Sequence, residues 1–158
     1  MVNVTELDLS LNHIVDVLPL AGLVKLTNLN LEKNLIVDVS PLKGMVDLAI
    51  LDLSRNKIID VLPLAGLVNL MELNLEKNLI VDVSPLKGMV NLAILNLSIN
   101  LIVDVSPLSE MFNITHLNIS RNKVIDLLPL GRMVKMYKLN LNQNDIVDVS
   151  PLDGMVNL

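Results

Sequence analysis

Cysteine and tryptophan are absent from the 158 residues, and the aromatic side chains are one phenylalanine and one tyrosine, Phe112 and Tyr137. Without cysteine there is no disulfide framework, no zinc–thiolate site and no thiol nucleophile. With so few aromatics any core is aliphatic, and almost nothing is available to stack on bases. No basic patch stands out along the chain either, so nucleic acid is not an expected partner. The six glycines are scattered and form no phosphate-cradling loop. An aspartate recurs every 22 residues, so no apolar run is long enough to span a bilayer, and membrane insertion is not expected. The opening MVNVTELDLS lacks a basic start followed by an apolar run and does not read as a signal peptide. The two histidines, His13 and His116, lie nearly five repeats apart. No Ser-His-Asp, Cys-His or His-rich arrangement is present. The sequence therefore predicts no enzyme, no cofactor and no metal.

What is present is apolar and periodic. Apolar residues make up 52% of the chain and charged residues 18%, too apolar a balance for a disordered segment. The net charge of −5 invites a search for basic partners, but seven of the 17 acids are one recurring residue: Asp16, Asp38, Asp60, Asp82, Asp104, Asp126 and Asp148. The acidity belongs mostly to a repeat unit.

That unit is 22 residues long and occurs seven times, starting at residues 4, 26, 48, 70, 92, 114 and 136. Its frame is L-x-x-L-x-L-x-x-N-x-I-x-D-x-x-P-L-x-x-M-x-x, and no unit carries a gap. Residues 30–46 and 74–90 are identical, which points to duplication of a 44-residue block, natural or made in the laboratory. The L-x-L segment alternates with the period of a half-buried strand. The Asn after it turns the chain. P-L-x-x-M spaces apolar residues three apart, which suits one turn of 3₁₀ or α helix with Pro at its start. In four units a serine precedes the proline (Ser40, Ser84, Ser106 and Ser150) and is expected to cap that turn. One unit cannot bury its own apolar face, whereas a stack of seven can. At ~4.8 Å per strand the sheet runs roughly 30 Å.

The frame L-x-x-L-x-L-x-x-N-x-I is that of the leucine-rich repeat. Its continuation D-x-x-P-L-x-x-L/M at a period of 22 resembles the internalins of pathogenic bacteria, and is also similar to the leucine-rich regulatory subunit of protein phosphatase-1. The resemblance covers residues 4–158. It implies an α/β right-handed solenoid, with a curved parallel β-sheet on the concave side and short 3₁₀ or α turns on the convex side. It also implies a non-enzymatic protein-binding scaffold that takes a protein partner on the concave face. An internalin-like parent implies the surface of a bacterium or its exterior. The alternatives are an engineered or excised array whose main behaviour is folding and self-association, and a cytoplasmic regulatory subunit of an enzyme. The sequence departs from the internalin pattern in showing neither a helical N-terminal cap nor a distinct C-terminal cap. Residues 1–158 are thus expected to form a single array whose uncapped ends favour homo-oligomers.

Several columns of the repeat carry expectations of their own. The Asn column should bond the backbone of the adjacent coil. The Asp column should accept backbone N–H groups in its own turn or the next coil, with a metal-binding edge as the alternative. Strand residues pointing away from the core form the candidate protein-binding face. The central positions are Asp8, Asn30, Asp52, Asn74, Asn96, Asn118 and Asn140. Before them come Glu6, Asn28, Ile50, Glu72, Ile94, His116 and Lys138. The place after them (Glu32, Ser54, Glu76, Ser98 and Ser120 among others) is expected to be exposed as well, and Tyr137 is the one aromatic anchor near the strands. The face runs from acidic near Glu6 to mildly basic near Lys138. The valine column (Val24, Val46, Val68, Val90, Val134 and Val156, with Phe112 in the fifth unit) is apolar where the family commonly has Thr. It either tucks between coils or forms an exposed ridge.

Overall fold

The computed structural model describes residues 4–158 and is a solenoid of seven coils, one per repeat. Each coil opens on a three-residue strand: β1 (Glu6–Asp8), β2 (Asn28–Asn30), β3 (Ile50–Asp52), β4 (Glu72–Asn74), β5 (Ile94–Asn96), β6 (His116–Asn118) and β7 (Lys138–Asn140). The strands pair in parallel and in chain order. Register never slips: Leu7 pairs with Leu29, Leu29 with Leu51, and so on to Leu139. A slip of one residue would turn every strand leucine out of the core, and the constant repeat length removes the occasion for one.

The opposite wall is built from short 3₁₀ helices, such as Ser40–Gly44, Leu62–Leu64 and Ser84–Gly88, each with Pro in its first turn. Between the two walls lies an aliphatic core in which, through the five interior coils, the strand leucines, the Ile or Val after each Asn turn and the Leu after each Pro are essentially inaccessible. The end coils are looser. Leu7, Leu9 and Ile14 in the first coil, and Leu139, Leu141 and Ile146 in the last, are only partly covered.

Two repeated polar residues fix the backbone. The Asn column works between coils. Asn78 Nδ2 donates to the Leu53 carbonyl of the preceding coil (3.0 Å) and to the Leu75 carbonyl of its own (3.1 Å). Its Oδ1 accepts the Ile58 N–H of the preceding coil at 3.0 Å. Asn34, Asn56, Asn100 and Asn122 repeat this pattern and are buried. The Asp column works within a coil. In each of the seven, Oδ1 accepts the N–H two residues on, as from Leu18 to Asp16 or Ser84 to Asp82, both at 2.8 Å. The Asn column thus bonds the adjacent coil as expected, and of the two places expected for the Asp bonds the structure shows its own turn.

The predicted serine cap does not. Ser40, Ser84, Ser106 and Ser150 are themselves the first residues of the 3₁₀ helices, and no helix has a side-chain cap at the residue before it. Each of these serines instead donates its Oγ–H to Oδ2 of the preceding Asp, at 2.8–2.9 Å. The carboxylate is the group that orders the turn. This explains why Leu18, Leu62 and Leu128 can replace serine without altering it.

One repeated conformation has no counterpart in the residue types. The residue before each Asn is left-handed, from Leu11 (φ 58°) through Ile99 (57°) to Gln143 (57°), and none is glycine. A residue with a Cβ is strained there by about 1–2 kcal/mol. The conformation persists because it aims the N–H at the next coil, as from Ile99 to the Ser120 carbonyl at 2.9 Å.

Candidate functional site

The strand geometry gathers the residues expected at a binding face. Because side chains alternate along a strand, Glu6, Asn28, Ile50, Glu72, Ile94, His116 and Lys138 stand side by side as register partners in one row. A second row is formed by Asp8, Asn30, Asp52, Asn74, Asn96, Asn118 and Asn140. The two rows differ in freedom. The second is largely committed to holding the strand exits, since Oδ1 of each of these residues accepts the N–H two residues on. The Asp8 carboxyl lies below the usual aspartate range, chiefly because it accepts the Ser10 N–H. Further bonds run along the row: Asn74 Nδ2 donates to Asp52 Oδ2 at 2.9 Å, and Asn96 Nδ2 to Glu76 Oε2 at 3.4 Å. The first row carries the variable chemistry, with Ile50 and Ile94 exposed on either side of Glu72.

The place after the central row is not open as expected. Ser54, Ser98 and Ser120 are buried, their hydroxyls bonded to Asp52, Asn96 and Asn118. Serines fold back there in the interior coils, the longer Glu32 and Glu76 are half-buried, and Asn142 in the last coil is exposed. Arg55 lies between those two carboxylates, 3.6 Å from each. Lys33, Lys57 and Lys77 join it around a shallow cavity of about 230 Å³ at the rim of the sheet. The recurrence of Lys33, Arg55, Lys77 and Arg121 just before the Asn column is the signal that would have located this basic rim.

Tyr137 immediately precedes β7 and packs edge-on against the His116 ring, with centroids 4.6 Å apart at 71°. Beside them a hollow of about 330 Å³ is lined by Ile94, His116 and Lys138 together with Asn96, Asn118 and Asn140. The polarity across the sheet is therefore physical as well as sequential. Carboxylates dominate β1 to β4, whereas β6 and β7 bring together an imidazole, a phenol and an ammonium group.

The valine column is an exposed ridge rather than an inter-coil filler: Val46, Val90 and Val134 are 46%, 51% and 52% accessible. A second ladder, missed in the sequence, bridges neighbouring coils at the surface beside it. Asn69, Asn91, Asn113 and Asn157 donate Nδ2 to the carbonyl of the preceding coil's Val46, Val68, Val90 and Val134 at 2.8–2.9 Å. The backbone is satisfied by amides, and the valines are left outside. Among the described residues no three His, Cys, Asp or Glu side chains converge as metal ligands, and no helix is long and apolar enough to cross a membrane.

No protein-family profile matches the chain, and no curated protein sequence matches it. Solved structures do. Internalin C2 from Listeria monocytogenes superposes with a TM-score of 0.97 at 40% identity, over 99% of this chain and 69% of that one. Internalin F (internalin of the same organism) is 28% identical with a TM-score of 0.56, over 96% of this chain and 58% of its own. The functional domain of InlJ from Listeria monocytogenes, described as including a cysteine ladder, is 28% identical with a TM-score of 0.76 and is covered over 33% of its length. A cysteine ladder has no counterpart in this cysteine-free chain. At 40% identity the first of these superposes over nearly the whole sequence, and the chain belongs to the internalin family of leucine-rich repeat proteins.

Proposed function

We propose that the chain is a non-enzymatic protein-binding scaffold and that its partner sits on the sheet face, across the row from Glu6 to Lys138. The supporting observation is the division of labour among the repeated positions. Leucines and the buried Asn build the core, the Asp column and the central Asn and Asp row hold turns, and the row Glu6, Asn28, Ile50, Glu72, Ile94, His116, Lys138 is variable, outward-facing and in unbroken register. A rigid, varied, seven-residue row suits recognition of another protein's surface. Ile50, Ile94 and Tyr137 supply apolar contact, and the flanking charges supply orientation. The likeness to internalin C2 supports a parent that works at the surface or outside of a bacterium. It favours that reading over a cytoplasmic enzyme subunit.

The test is selection from a library of extracellular protein fragments on the immobilised chain, followed by binding to three variants. Binders that lose at least about tenfold in affinity to Ile94→Arg and Tyr137→Ala, and keep it against Val46→Asp, support the sheet face. Binders indifferent to both sheet variants refute it.

A further inference from the structure

The outer side of each coil, between the Asn turn and the 3₁₀ helix, carries a pattern that a sheet-face partner leaves unused. The twelfth residue of every coil, just before the Asp, is an exposed Val or Ile; Val37, Val81 and Val103 are 50%, 54% and 49% accessible. On either side of it lie the tenth and fifteenth residues. In coils 1, 3 and 6 the fifteenth is Leu18, Leu62 or Leu128, all well exposed, and the tenth is His13, Lys57 or Lys123. In coils 2, 4 and 5 the arrangement is reversed: the tenth is Leu35, Leu79 or Leu101, again exposed, and the fifteenth is Ser40, Ser84 or Ser106. Each of these six coils thus shows one such leucine, never two and never none. The core does not require this, because all six leucines lie outside it.

A second regularity follows the same coils. Where serine is fifteenth, its hydroxyl occupies Oδ2 of the Asp. Where leucine is fifteenth, Asp16, Asp60 and Asp126 bond only through Oδ1 to their own backbone. These are the coils whose tenth residue is a histidine or lysine. Neither Lys57 nor Lys123 has a carboxylate partner within the described residues.

A contiguous exposed apolar stripe marks an interface, and this one is complementary to itself. A two-fold axis parallel to the stack brings the flank against the same flank of a second chain, with coils in register and the tenth residue of one facing the fifteenth of the other. Every exposed leucine then meets a non-leucine: Leu79 meets Ser84 of the other copy, and Leu62 meets the aliphatic stem of Lys57. The Lys57 and Lys123 ammonium groups come to the side where Asp60 and Asp126 offer an unused oxygen. An antiparallel arrangement would instead set one Asp column against the other, which like-charge repulsion disfavours. We propose that a second copy of this chain covers this flank in a parallel, in-register homodimer, leaving the sheet face of each copy open.

Sedimentation over a concentration series up to about 100 µM, a range that captures weak homodimers, measures the association. Val81→Arg places two like charges near the axis at an exposed position and should weaken it by at least about tenfold. Because the chain has no cysteine, single-cysteine variants then report the geometry under mild oxidation. Val37→Cys and Val81→Cys should each form a disulfide dimer, whereas Val46→Cys on the other ridge should not. A chain that stays monomeric throughout overturns the proposal. So do dimers that Val81→Arg leaves intact, or cross-links through Val46→Cys instead. Cross-linking by Val81→Cys without Val37→Cys overturns the parallel register, because only an antiparallel pair brings coil 4 alone onto itself.

Discussion

The Asn and Asp columns are equally regular in the sequence and carry similar short polar side chains, yet they do different work. Each interior Asn is buried and joins two coils through four bonds; Asn78 ties Leu53, Ile58, Leu75 and Glu76 together. Each Asp is exposed and ties only its own turn. An amide suits the first place because it is both donor and acceptor and carries no charge to desolvate. A carboxylate suits the second because water solvates its remaining lone pairs. Regularity therefore does not measure energetic weight. Burial does, because an unsatisfied group costs its full desolvation only where water cannot reach it.

Substitutions separate the two columns. The largest effect belongs to Asn78→Ala, which leaves one buried N–H and three carbonyls without their side-chain partner. A loss of roughly 3 kcal/mol or more is expected from denaturant titration. Asn12→Ala makes the same chemical change in the exposed first coil, where water replaces the lost bonds, so it should cost far less. Equal losses at the two sites would break the burial argument. Next comes Ile99, a β-branched residue held at φ 57°. Ile99→Asn keeps the N–H bond to Ser120 and relieves the strain, so thermal unfolding should show a gain of about 1 kcal/mol. Asp60→Ala removes one acceptor from an exposed turn and should cost below about 1 kcal/mol, within the range for helix-start residues.

The smallest effect is the pH dependence of the Asp column. Asp38, Asp82 and Asp148 have carboxyls lowered from the ordinary value, chiefly by the N–H and then the hydroxyl of Ser40, Ser84 and Ser150. A lowered folded pKa means that the native state holds these protons less tightly than the unfolded chain does. The contribution is present above the unfolded value of about 3.9, and is lost as pH falls through the lower folded values. Urea midpoints should therefore fall between pH 6 and pH 3, and the fall should be shallower in the triple variant with Asp38, Asp82 and Asp148 changed to Asn. An identical slope in the two proteins would show that the turns contribute nothing to acid sensitivity.

Much of this was readable from the repeat. The strand and turn order, the parallel sheet and the roles of both polar columns follow from residue type and period, because each position's neighbours are its own copies one coil away. Features that depend on direction were not readable. Ser54 and Glu32 occupy the same place in the coil, yet one folds back beneath Asp52 and the other reaches the rim, a matter of side-chain length. The apolar Val46 invited burial, yet it stands 46% accessible, and what the neighbouring coil engages there is its backbone carbonyl, through Asn69. The pairing of His116 with Tyr137 joins residues 21 apart in sequence, and required the strand register to bring them into contact.

The sequence by itself determined the coil: its length, its leucine core, its Asn joints and its aspartate turns. A repeat that cannot bury itself alone has one economical solution, stacking in register. The tertiary structure decided which polar groups were consumed and which remained free, and which apolar residues stayed outside. Those outcomes depend on side-chain length and on which backbone groups of the adjacent coil lie within reach, as the folded-back Ser54 and the outward Glu32 show at one and the same place in the repeat.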